Sequence, residues 1–213
     1  ALAKLNNLKK NKIDIDEIFD LEKWANFFAI IDLSRTLHGS LSKSVKLYYN
    51  PVTAKFEPIG LDGHFGLGPN VFVDFLVLDF LDQDNKNCSF ICHDREWYLR
   101  FFKNQDGSDN TKFLNLYIKA LKKVSSQKFL SNFEKKYLKE IQFFNSQLLS
   151  DVLKKDVGYY KGIGDFIYND KFLAERARYI QNRLNEINEL GNLQTSLNDN
   201  QIIFFIFDKF RET

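Results

Sequence analysis

Apolar residues recur at steps of three and four along the stretch that follows Asp20; they are Leu21, Trp24, Phe28 and Ile31. This spacing places them on one face of a helix, which we expect to end near His38 and Gly39. The preceding stretch is polar and basic, so residues 1–13 are predicted to be a helix end or a linker. Acidic residues able to cap a helix start lie between the two, at Asp14, Asp16 and Asp20.

Two short runs of β-forming residues come next, Val45–Tyr49 and Ala54–Ile59. The residues between them, Asn50-Pro51-Val52-Thr53, favour a turn, so the pattern predicts an antiparallel hairpin. The stretch Gly60–Asn70 then holds five glycines or prolines, which excludes regular structure. Its backbone is free to wrap around a ligand.

Helical periodicity dominates the rest of the chain, and the predicted helices are 71–82, 95–103, 110–124, 129–150 and 170–190. The third presents Leu114, Tyr117, Leu121 and Val124 on one face, and the fourth presents Phe129, Phe133, Tyr137, Ile141 and Leu148. The run Gln201–Phe207 is short, apolar and typical of a buried strand. We therefore predict a mainly helical α+β fold, with one unit over 1–190 and a C-terminal extension with one strand over 191–213.

The composition suits a single hydrophobic core, since 44% of the 213 residues are hydrophobic. No apolar run is long enough to span a bilayer, and a net charge of +2 gives nucleic-acid binding little support. The basic and aromatic patches Lys135–Tyr137 and Arg176–Tyr179 are interpreted as solvated helix faces. Cys88 and Cys92 have no second pair with which to complete a four-thiolate zinc site, and free thiols are favoured over a disulfide.

The stretch Tyr48–Gly63, with its strand, Asn-Pro turn, second strand and closing Asp, resembles the hairpin of the CotH-type kinases. This atypical protein-kinase-like family is named after a spore-coat protein. A second stretch, Phe172–Ile180, is similar to the family's closing helix. The resemblance implies the C-terminal lobe of a kinase-like fold, with an Asp after the hairpin in a metal-bound phosphate site. The lobe that grips the nucleotide is expected to precede Ala1.

On this resemblance Asp62 is the expected ligand of Mg²⁺, a hard cation that prefers carboxylate oxygen; the alternative is an Asp that only stabilises a turn. His64 is a second metal or phosphate contact, or else a loop side chain in solvent. His38 contacts a phosphate or the nucleophile, or else favours the dipole at a helix end. Ser44 falls near a position where many family members carry a metal-binding Asn.

The interval His38–Val45 departs from the family pattern, because it contains neither the Asp nor the Asn that many members carry there. The catalytic base is therefore unidentified. Asp32 is the nearest upstream acid, but six helical residues separate it from His38 by about 9 Å along the axis. We interpret Asp32 as a surface or helix-packing residue.

The resemblance implies phosphoryl transfer from ATP and Mg²⁺ to Ser or Thr of a protein substrate. The alternative is a non-catalytic kinase-like module that contacts partners in a coat, surface or envelope assembly, and either role implies an extracytoplasmic or cell-surface setting. The helical body after residue 71 is expected to be a scaffold without an active site of its own.

Overall fold

The computed structural model of the chain describes residues 1–10, 12–61, 75–81, 94–154 and 170–192. Within these ranges, the side chains of 81, 148–154, 170 and 187–192 are not described. Asp62, His64, Cys88, Cys92 and the predicted strand Gln201–Phe207 all lie outside the described residues, as does nearly all of the predicted C-terminal extension.

The described residues are mainly helical and contain one two-stranded antiparallel sheet, in agreement with the predicted α+β class. The elements in chain order are α1 (Leu2–Lys9), α2 (Ile15–Ile18), α3 (Leu21–Ser34), a 3₁₀ turn (Leu37–Ser40), β1 (Lys46–Asn50), β2 (Lys55–Ile59), a second 3₁₀ turn (Val77–Leu81), α4 (Arg95–Phe102), α5 (Thr111–Val124), α6 (Gln127–Lys154) and α7 (Asp170–Asn192).

Helix starts in the first quarter of the chain lie where the acidic residues indicate. Asp14 precedes α2 and its amide donates to the side chain of Glu17, as in a capping box. Asp20 precedes α3, and its carboxylate accepts a hydrogen bond from the Lys23 amide. Residues 2–9 form a short helix, which the interpretation of 1–13 as a helix end or linker only partly anticipated.

Helix α3 ends at Ser34, four residues before the predicted end near His38. Arg35 has φ 54° and adopts the left-handed conformation that closes many helices. The following residues Leu37–Ser40 form a separate 3₁₀ turn. His38 therefore lies beyond the helix and not in its last turn.

The predicted hairpin is confirmed, with Lys46 opposite Ile59 and Asn50 opposite Lys55. The Asn50 side chain accepts a hydrogen bond from the Val52 amide at 2.9 Å, so this Asn both ends β1 and stabilises the turn. The Trp24 indole and the Asp20 amide both donate to the Phe56 carbonyl, each at 3.1 Å. The hairpin is thus held against the start of α3.

The core is built mainly from aromatic side chains of α3, α4 and α5. Trp24 lies 4.9 Å from Phe101 between ring centroids, and Phe80 stacks on Tyr98 at 4.1 Å. The predicted apolar face of α5 is buried throughout, at Leu114, Tyr117, Leu121 and Val124. Offset and edge-to-face ring pairs of this kind add to the free energy gained from burial alone.

Three expectations for the helical body were wrong in part. The predicted helix over 71–82 appears, within its described residues, only as a 3₁₀ turn over Val77–Leu81. The stripe along α6 is not a core face, since Tyr137 is 38% exposed and Ile141 is only partly buried. Arg176 is 4% exposed, so it does not belong to a solvated face. In α7, Ile180 and Leu184 are buried.

Among the described helices, none carries an apolar stretch of the length that a bilayer crossing requires.

Candidate functional site

The hairpin brings two stretches of interest to the same end of the sheet. Because Lys46 pairs with Ile59, the residues before β1 and the residues after β2 lie side by side. Ser44 is two residues before β1, and Gly60 and Leu61 carry the chain out of β2 towards Asp62. Of the predicted site residues, the structure describes Ser44 and His38, while Asp62 and His64 lie outside the described residues.

The segment from Leu37 to Ser44 is held by side chains of α4 and the residue before it. The Trp97 indole donates to the Ser40 carbonyl at 3.0 Å, and the Ser40 and Tyr98 hydroxyls are 2.7 Å apart. Asp94 accepts hydrogen bonds from the Ser42 amide, at 2.8 Å, and from the Ser42 hydroxyl. These contacts fix the backbone of the segment that precedes β1.

His38 lies in this held segment as a half-buried residue, and its carbonyl accepts a hydrogen bond from the Leu41 amide. Helix α3 ends at Ser34, and the effect of a helix dipole is confined to its last turn. The alternative explanation of His38 as a residue that favours the α3 dipole therefore loses its basis. Ser44 is also half-buried, and its amide donates to the Leu41 carbonyl at 2.9 Å.

The hydroxyls nearest to His38 in sequence have structural partners. Ser40 is fully buried and its hydroxyl bonds both the Leu37 carbonyl and Tyr98. The Ser42 hydroxyl is bonded to Asp94. Burial raises the pKa of the Tyr98 hydroxyl well above its usual range, although the hydrogen bond with Ser40 acts in the opposite direction. These groups position the segment and are not free to take or give protons near neutral pH.

A second group of polar residues, which the sequence interpretation missed, lies within the core. We call it the Asp32 cluster; it consists of Asp32, Tyr117, Arg176, Asp79 and Arg183. Asp32 is 3% exposed and accepts hydrogen bonds from the Val77 amide at 2.8 Å and from the Tyr117 hydroxyl. Burial raises the pKa of Asp32 to about 7, although both hydrogen bonds act in the opposite direction.

The two arginines of the cluster serve main-chain and carboxylate oxygens. Arg176 donates to the Asp32 carbonyl, at 2.8 Å from Nη2, and to the Phe75 carbonyl at 3.0 Å. Its guanidinium also lies 4.8 Å from the centre of the Tyr179 ring. Arg183 pairs with Asp79 at 2.7 Å, and Asp79 in turn accepts a hydrogen bond from the Leu76 amide.

The sequence does carry a signal for this cluster. Asp32 follows Ala25 by seven residues and Phe28 by four, so helical periodicity alone places its carboxyl on the buried stripe of α3. Asp32 was weighed only as a possible partner of His38, and its distance from that residue along the helix axis drew attention away from its periodicity. Asp32 is thus a packing residue, and the surface alternative was wrong.

In the part of the chain that the structure describes, no three His, Cys, Asp or Glu side chains converge on one point. A groove of about 470 Å³ lies between α1, α2 and the helices α4 and α5. Two of the cations that line it are paired, Lys112 with Asp16 at 2.8 Å and Lys103 with Asp109. The exposed acid Glu96 also lines the groove.

Comparisons of this chain with family models, with curated proteins and with solved structures give no significant match.

Proposed function

We propose that this chain is part of a phosphotransferase similar to the CotH-type kinases, which transfers phosphate from Mg²⁺-bound ATP to Ser or Thr of a protein substrate. One observation carries the proposal. The antiparallel register places Ser44, two residues before β1, at the hairpin end from which the chain continues to Asp62, and His38 lies in the same held segment. The proposal requires the Asp62 carboxylate to lie close to this rigid segment, as a metal-binding carboxylate does in a phosphoryl-transfer site.

In this proposal Asp62 supplies the carboxylate oxygen for Mg²⁺, and the hydroxyl of Ser44 is a weaker second oxygen ligand. His38 and His64 assist by contacting phosphate or the attacking hydroxyl. The bound metal would neutralise charge on the phosphates of ATP. Asp94 and Trp97 hold the backbone of the segment that contains His38 and Ser44, so these two side chains start from a fixed main chain.

The test compares full-length protein with Asp62→Ala in transfer of labelled phosphate from ATP, to itself and to a Ser-rich acceptor. Asp106→Ala is the matched control, because Asp106 also precedes a glycine but stabilises an exposed turn through the Ser108 amide. Asp62→Ala should lose transfer and lose thermal stabilisation by Mg²⁺ and ATP. Equal transfer by the wild type and Asp62→Ala would remove Asp62 from the mechanism.

A second candidate function is a non-catalytic kinase-like module in a coat or envelope assembly. A specific observation favours it. The interval His38–Val45 has no carboxylate and no Asn, and the hydroxyls of Ser40 and Ser42 are already engaged with Tyr98 and Asp94. This alternative requires no transfer by the wild type under any metal, together with unchanged partner binding by Asp62→Ala.

A further inference from the structure

The segment Phe75–Leu81 is held in the core by side chains from three helices. Its residues Leu76, Val77, Leu78 and Phe80 are at most 2% exposed. The Phe75 carbonyl accepts from Arg176, the Val77 amide donates to Asp32, and the Phe80 carbonyl accepts from Arg95 at 2.9 Å. Because buried main-chain groups need hydrogen-bond partners, these side chains supply the hydrogen bonds that a longer helix or a sheet would otherwise provide.

The Asp32 carboxylate differs from the other contacts in this set. Its two oxygens accept from neutral donors, Val77 and Tyr117, whereas Arg176 donates to its main-chain carbonyl. The charge of Arg176 favours the ionised carboxylate, but its effect on the pKa of Asp32 is smaller than that of burial. A cavity of about 10 Å³ borders Asp32, which is barely the space of one water molecule. A buried carboxylate whose hydrogen-bond donors are neutral is costly in its charged form.

The charged and titratable groups around it come from every packed element. They are Arg35 at the end of α3, Asp79 in the second 3₁₀ turn, Tyr98 in α4, Tyr117 in α5 and Arg176 in α7. Asp79 disfavours the charged form of Asp32 and Arg176 favours it. Arg183 is engaged with Asp79, which limits the repulsion between the two carboxylates.

We propose that the Asp32 carboxyl makes the attachment of Phe75–Leu81 to the core dependent on a proton, so that the segment is held most firmly when Asp32 is neutral. A neutral carboxyl still accepts from the Val77 amide through its carbonyl oxygen, and its O–H group donates a hydrogen bond to the Tyr117 hydroxyl oxygen. Release of the segment would expose Asp32 to water, where its ionised form is favoured. A rise in pH therefore favours release.

The sign follows from proton linkage. The pKa of Asp32 is about 7 in the closed structure, above the value of 3.8 that it has in water. The closed segment therefore binds the proton more tightly than the open one between these limits. Protection against opening is highest near pH 4, falls by about tenfold per pH unit up to about pH 7, and is constant above that.

The inference concerns only the attachment of Phe75–Leu81 to the core and stands apart from the phosphotransferase proposal. In sequence, the chain that contains Asp62 lies between β2 and Phe75.

The test is amide hydrogen exchange of the nucleotide-free protein from about pH 5 to about pH 8, read as protection factors. In the wild type, protection of Leu76–Phe80 should fall by about fiftyfold between about pH 5 and pH 7, while α5 amides such as that of Leu121 change much less. Asp32→Asn should abolish the fall, because Asn keeps the acceptor for Val77 without a charge. Asp94→Asn, which removes another buried carboxylate that accepts a main-chain amide, should keep it.

Tyr117→Phe provides an independent variant should Asp32→Asn fold poorly. The Tyr117 hydrogen bond lowers the pKa of Asp32, so its loss should move the upper end of the fall above pH 7. The proposal is overturned if wild-type protection is constant across this range, if Asp32→Asn keeps the fall, or if α5 falls in parallel. A pH-dependent attachment without any binding of Mg²⁺ and ATP would leave this inference intact and refute the phosphotransferase proposal.

Discussion

Replacement of Arg176 by Met tests whether the α7 arginine is the buried bridge that the structure shows. Arg176 is 4% exposed and joins α7 to the Asp32 carbonyl of α3 and to the Phe75 carbonyl. Arg178, two residues later, is exposed on the same helix. The two arginines therefore form a matched pair that differs in burial.

The expected loss is worked from the contacts that disappear. A buried carbonyl left without its donor costs about 1–3 kcal/mol, and here one fully and one partly buried carbonyl are affected. The contact with the Tyr179 ring contributes about 0.5–2 kcal/mol more. Met fills part of the volume and avoids the cost of burying a guanidinium, which offsets part of this loss. We expect Arg176→Met to lower the free energy of unfolding by about 2–4 kcal/mol.

The measurement is urea unfolding at neutral pH, supported by thermal melts, where the loss corresponds to roughly 5–15 °C. Arg178→Met should change the free energy of unfolding by no more than about 0.5 kcal/mol, as surface substitutions usually do. Near-equal stabilities of the two variants would refute the role of Arg176 as a bridge.

Three further substitutions test the core and the hairpin. Asp32→Asn should gain stability relative to the wild type as pH rises from about 4 to about 8, because the raised pKa of Asp32 makes its charge costly at high pH. A shift of about three pH units corresponds to a gain of up to about 4 kcal/mol in the free energy of unfolding, measured by chemical denaturation. A gain of the same size at both ends of this pH range would contradict the raised pKa. Leu184→Ala should cost about 2–5 kcal/mol, whereas Phe143→Ala, at a side chain that is 58% exposed, should cost less than about 1 kcal/mol. Trp24→Phe removes the hydrogen bond from the indole to the Phe56 carbonyl and leaves a cavity. We expect the free energy of unfolding, measured by denaturant titration, to fall by about 2–4 kcal/mol. A decrease below about 0.5 kcal/mol would show that the hairpin is held in another way.

Much of the local structure follows from the sequence because its causes are local. Asp20 caps α3 through the amide three residues on, and Asn50 closes its turn through the amide two residues on. The apolar stripe of α5 is buried in full, since periodicity of 3.6 residues leaves only one face to pack. The end of α3 was placed too late, because a left-handed residue such as Arg35 has no strong sequence signal when it is not glycine.

The candidate site was predicted only in its local part. The sequence indicated the hairpin, and the structure adds that Asp94 and Trp97, more than fifty residues away, hold the segment before it. Such contacts have no periodicity and depend on where α4 packs. The same is true of α6, whose stripe at Tyr137 reads as a core face but does not meet enough of the body to be buried.

By itself the sequence determined the helix starts, the hairpin and which faces are apolar, because these depend on neighbours within about four residues. Only the tertiary structure decided which polar groups enter the core. Arg176 reads as a surface cation until the Asp32 and Phe75 carbonyls come within hydrogen-bond distance of it, 144 and 101 residues away in the chain. Burial of such a group is stable only when partners from several elements meet at one point, and that meeting is a property of packing.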